Sequence, residues 1–125
     1  RSAMRKETWK ARRVLREFRI PVKYRDLLPD KALRVIASML ESEYRNLESP
    51  KERLLFEDDL PQFIAECIGN LGVYGDEHQE GKRVMVSTYS LADEMRKRAP
   101  FLPSELQQVA LAIANALQTV ATPRL

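Results

Sequence analysis

Cysteine is almost absent from this chain: Cys67 is the only one in 125 residues. One thiol closes no internal disulfide, so a small disulfide-stapled scaffold is excluded. Glycine is scarce as well. Gly69, Gly72, Gly75 and Gly81 stand in no context that matches a Walker A loop or a dinucleotide fingerprint, so no nucleotide cradle is expected. Histidine occurs once, as His78, beside Asp76, Glu77 and Glu80. A nucleophile-and-base pair is therefore nearly without parts, and zinc lacks a ligand set. No apolar run approaches the roughly 18–20 residues of a membrane-spanning helix. No uninterrupted apolar stretch follows the basic N-terminus, as a signal peptide requires. These absences predict a soluble chain of the cytoplasm, or of the nucleus in a eukaryote, with no cofactor and no integral membrane association. Arg1-Ser2-Ala3 ahead of Met4 reads as an added leader, with Met4 as the native start.

What is present is ordinary in amount and uneven in place. Hydrophobic residues make up 44% and charged residues 31%, the balance of a chain that folds rather than stays disordered. From Arg1 to Arg25 ten Lys/Arg face two Glu, a net +8. From Asp26 to Leu125 eleven Lys/Arg face sixteen Asp/Glu, a net −5. Such asymmetry points to an electrostatic partner, and the first acidic surface available is the rest of the protein.

Periodicity predicts a mainly α fold, a bundle of about five to six helices with one small β-hairpin near residues 71–89. The division expected is a basic amphipathic helix over 1–20 and a helical domain over 21–125. In the first helix Met4, Ala11, Leu15 and Phe18 share a face, with Trp9 and Val14 beside it, and Pro21 is its expected stop. A second helix follows from Asp30 to Leu47. Ser49, Pro50 and Glu52 form a start signal for a short third helix ending near Phe56. Asp58 and Asp59 then lead a separate helix along Leu60, Phe63, Ile64, Cys67, Ile68 and Leu71. The hairpin is expected from strands at 71–74 and 83–89. Ser90 with Asp93 and Ser104 with Gln107 read as capping boxes of the two closing helices.

Three chemistries have some of their residues in this inventory. Glu57, Asp58, Asp59, Asp76, Glu77, His78 and Glu80 offer hard ligands, but their spacing does not fit an EF-hand. Glu80-Gly81-Lys82 at the mouth of an expected strand, with Asp58 and Asp59 upstream, resembles the E-x-K core of restriction-type nucleases. The resemblance implies Mg²⁺ held by carboxylates with Lys82 orienting a water. That fold needs a mixed sheet of several strands, and this chain offers two. A winged helix-turn-helix has the right element order, but its recognition helix would be led by Glu57-Asp58-Asp59 and carry no Lys or Arg, so phosphates would repel it. No enzyme is expected.

The leading helix remains. Arg5, Lys6, Lys10, Arg12, Arg13, Arg16 and Arg19 surround it, and Trp9 is its large aromatic. These residues are the expected binding site. The expected function is a non-enzymatic protein-interaction or assembly module whose basic helix docks on an acidic surface, with a protein partner or self-association first. Trp9, Val14 and Phe18 would serve as apolar anchors in a partner's groove. The alternative is nucleic-acid binding, with the basic residues on phosphates and Trp9 stacked on a base.

Overall fold

A computed structural model describes residues 6–74 and 81–121. It is mainly α, with six helices and one two-stranded hairpin among the described residues. The helices are α1 (Lys6–Glu17), α2 (Val22–Arg25), α3 (Asp30–Arg45), α4 (Pro50–Gly72), α5 (Thr88–Arg98) and α6 (Ser104–Ala121). Strands β1 (Val73–Tyr74) and β2 (Lys82–Arg83) pair antiparallel, Val73 opposite Arg83 and Tyr74 opposite Lys82. None of the described helices is long and apolar enough to cross a membrane.

One core joins the helices. Leu15 of α1, Leu33, Ile36 and Leu40 of α3, and Phe56, Leu60, Ile64 and Ile68 of α4 lie in it, as do Leu91 and Met95 of α5 and Ile113 and Leu117 of α6. Each such side chain contributes about 1.5–3 kcal/mol by leaving water. α5 and α6 form an antiparallel hairpin, turned by a single 3₁₀ turn at Ala99–Phe101. Ala110 and Ala114 face the core on α6 and keep that helix slim at the contact. Where the end of α3 meets the first turns of α4, Phe18, Tyr44 and Phe56 form a three-ring cluster with centroids 5.6–5.9 Å apart. Edge and tilted contacts of this kind are favoured by the ring quadrupoles.

α1 ends through its own backbone, one step before Pro21. Ile20 N–H donates to the Leu15 carbonyl and Arg19 N–H to the Arg16 carbonyl, the paired bonds of a Schellman cap. Arg19 stands at the left-handed position with φ 67°, where glycine is usual. Leu15 and Ile20, both fully buried, supply the apolar contact that goes with this cap. The chain then makes α2, a single turn that the sequence reading did not anticipate.

The expected short helix and its neighbour are one helix. Ser49 caps α4 by accepting from Glu52 N–H, with Pro50 at the first helical position. No break follows at Asp58-Asp59. The stripes of the two expected helices are in phase, because Phe56, Leu60, Ile64 and Ile68 fall four apart on one buried face. Pro61 is held inside the helix, buried against the core, although it donates no N–H to Glu57. With no separate helix at Leu60, the helix-turn-helix order loses its recognition helix.

The hairpin is shorter than expected. Leu71 and Gly72 belong to α4, and Thr88 and Tyr89 to α5. Between β2 and α5 the chain runs extended, with Val84 N–H donating to the Gly72 carbonyl and Val86 N–H to the Leu27 carbonyl. A Cβ on Gly72 would meet Leu27 Cδ1 and Val86 Cγ2 at 2.8 Å, so only glycine lets these segments meet. α5 is capped by Ser87, which accepts from Ser90 N–H, three residues before the expected Ser90 cap. The expected box at Ser104 is also replaced. The Ser104 hydroxyl meets Glu105, while Gln107 donates back to the carbonyls of Pro100 and Leu102.

Candidate functional site

α1 has two unlike faces. Thr8, Ala11, Val14 and Leu15 are buried, mainly against α3, and Phe18 continues that face into the aromatic cluster. Trp9, Arg12, Arg13 and Arg16 recur at i, i+3, i+4 and i+7, which places them together on another face. The sequence reading saw cations all round the helix; the packing sorts them.

These four residues and Arg25 of α2 line a cleft of about 140 Å³. Arg25 reaches it because the Schellman turn and Pro21 fold α2 back on α1. Its Nη1 donates to the Ile20 carbonyl at 2.6 Å, which fixes the guanidinium. Its Nε is buried and has no hydrogen-bond partner among the described residues. Burial, and then the neighbouring Arg12 charge, push the Arg25 pKa below its ordinary value. Arg13 lies over the Trp9 ring, 5.5 Å from the centroid, a cation–π contact. The tryptophan still keeps 58% of its surface exposed.

The remaining expected site residues fall as follows. Arg12 pairs with Asp26, which stands just after α2. Arg19 approaches Asp58 at 4.0 Å, with both side chains largely exposed. Lys6, Lys10, Arg13 and Arg16 are exposed, and no carboxylate lies within ion-pair distance of them among the described residues. Arg5 lies outside the described residues. Sequence reasoning missed Arg25. It stood in the basic segment, beyond Pro21, and the signal was the one-turn spacing that returns it to α1.

Other chemistry is thinner. Cys67 is wholly buried in α4, and burial pushes its thiol pKa up to about 12, so it is a poor nucleophile at neutral pH. Glu57 accepts a hydrogen bond from the Tyr44 hydroxyl, which raises the tyrosine pKa. Among the described residues no three of His, Cys, Asp and Glu gather as a metal would require. Asp76, Glu77, His78 and Glu80, which the metal and nuclease readings need, lie outside the described residues. A cleft of about 260 Å³ between α4 and the 3₁₀ turn is lined by Asp59, Phe63, Glu66, Arg98 and Phe101, among others, and mixes charges of both signs.

Comparison with protein-family models, curated proteins and solved structures finds no match for this chain.

Proposed function

We propose that the protein is a non-enzymatic binding module that docks a densely acidic partner on the outward face of α1. One observation carries this reading. The inward face of α1 is committed to the core, while Lys6, Lys10, Arg13 and Arg16 point away from it with no carboxylate partner among the described residues. Folding alone gives no reason to gather them. Like charges four apart, as at Arg12 and Arg16, oppose helix formation by about 0.2–0.5 kcal/mol per pair. An anion placed across them would reverse that sign.

Charge leads the docking, and apolar anchoring is minor. Of the three anchors expected, Val14 is buried and Phe18 packs on Tyr44 and Phe56. Only Trp9 faces outward. A partner offering closely spaced negative charge therefore fits better than one offering an apolar groove.

The test is a titration of the intact chain with inorganic polyphosphate at low and high salt. The reading predicts binding at low salt that weakens steeply as salt rises. It also predicts that Arg13→Ala with Arg16→Ala loosens binding about tenfold or more while the fold persists. Failure to bind at low salt contradicts it.

A further inference from the structure

Resting on that reading, we infer that the partner is a single-stranded nucleic acid, with one backbone phosphate in the arginine cleft and an adjacent base stacked on Trp9. The inference comes from what sits together at the cleft. Trp9, Arg12, Arg13 and Arg16 share one helical face, and Arg25 closes its side from α2. Among the described residues these four guanidiniums face one ion-paired carboxylate, Asp26, which pairs with Arg12 and also acts on Arg25 through its charge. Among the described residues Arg25 Nε is an N–H donor without an acceptor, held beside that cleft by the bond from Nη1 to the Ile20 carbonyl. A phosphate brings several acceptor oxygens and negative charge together, and guanidinium forks match that geometry.

Charge and acceptors alone would suit any polyphosphate. Trp9 separates the cases. An exposed indole beside a phosphate-sized cationic cleft is the combination that binds unpaired bases, because every base has a face to stack and every nucleotide a phosphate to hold. Arg13 already rests on the ring and leaves the rest of the indole to a base. A duplex hides its base faces in its own stack, so it offers Trp9 nothing comparable. The cleft is also small, about 140 Å³, and lies on a convex helix, which suits a flexible strand that bends around it.

Trp9 is the chain's only tryptophan, so its emission reports on the site directly. The experiment titrates the full chain with a short oligothymidylate, with a duplex of equal length and with inorganic polyphosphate of matched charge. It is repeated on Trp9→Leu by fluorescence anisotropy of labelled ligand. Trp9 is largely exposed, so the variant is expected to fold, and circular dichroism checks this.

The inference predicts that oligothymidylate quenches Trp9 emission and binds more tightly than the duplex. It predicts that Trp9→Leu weakens oligothymidylate binding about 5- to 150-fold, the range for one stacked base. Polyphosphate binding should fall much less in that variant than oligothymidylate binding does. Equal loss or no loss for both ligands overturns the inference and leaves the acidic-partner reading standing. Preference for the duplex overturns it too. If none of the three ligands binds at low salt, the underlying reading falls with it.

Discussion

Two helices of this protein carry dense positive charge, and they use it differently. α5 ends in Arg96-Lys97-Arg98, where cations suit the negative end of the helix dipole. Each finds a partner within the fold. Arg98 Nε donates to Glu94 at 2.7 Å, Lys97 pairs with Asp93 at 3.6 Å, and Arg96 donates to Asn115 and Gln118 of α6. The Glu94 contact raises the Arg98 pKa, the sign expected of a compensated cation. α1 shows the reverse. Its Arg12, and Arg19 in the turn after it, reach carboxylates, but Lys6, Lys10, Arg13 and Arg16 reach none among the described residues. The Arg25 pKa beside them is lowered by burial and by Arg12. Charge count does not distinguish these clusters; partner accounting does. Among the described residues the α5 cluster is paired within the fold, and four cations of α1 are not.

The comparison breaks first along the two faces of α1. Leu15→Ala removes a fully buried side chain that also seals the Schellman cap, and should cost about 2–5 kcal/mol in urea unfolding. Arg16→Ala on the outer face should stay within about 0.5 kcal/mol of the parent. Equal costs would mean that the outer face is structural after all.

The core on which both clusters stand is tested by pH. The Cys67 pKa is raised from 9.0 to about 12 in the fold, so the unfolded chain loses this proton first as pH rises. Stability tied to Cys67 is complete below pH 9 and is lost between pH 9 and 12, with an upper bound of about 4 kcal/mol. Cys67→Ala should flatten that part of the stability–pH curve relative to the parent. Parallel curves would show that the thiol is less buried than described.

Asp26→Asn sharpens the cluster itself. Its carboxylate competes with any anion for Arg12, so the variant should bind polyphosphate a few times more tightly, with a steeper salt dependence. The pair is partly exposed, so the stability lost should not exceed about 1 kcal/mol. Weaker binding in this variant would place the anion elsewhere. The smallest effect expected is from Arg19→Gly, which relieves a left-handed residue and should raise stability by about 0.5 kcal/mol.

Much of the fold was legible because it is written in period. The start of α3 at Asp30 and the Ser49-Pro50 start of α4 are local signals that formed as read, while α3 ends at Arg45, short of the expected Leu47. What the sequence hid was relational. Asp58-Asp59 looks like a cap, yet two in-phase stripes carried α4 across it and across Pro61. Ser90 looked like the cap of α5, but Ser87 was nearer the end of the extended segment fixed by Gly72 and Leu27. At the site, the cations of α1 were visible as residues. Their sorting was not, because which arginine finds a carboxylate depends on where Asp26 and Asp58 arrive. Arg25 joined the cleft through a cap with Arg19 in a glycine conformation, which no propensity scale suggests.

The central claim is that Lys6, Lys10, Arg13 and Arg16 of α1 are available to a partner and the cations of α5 are not. The direct measurement is polyphosphate affinity across a salt series for the parent, for Arg13→Gln with Arg16→Gln, and for Lys97→Gln with Arg98→Gln. The account predicts that the α1 pair loses about tenfold or more in affinity and flattens the salt slope, while the α5 pair binds as the parent does. Equal losses from both pairs, or a loss from the α5 pair alone, would contradict it.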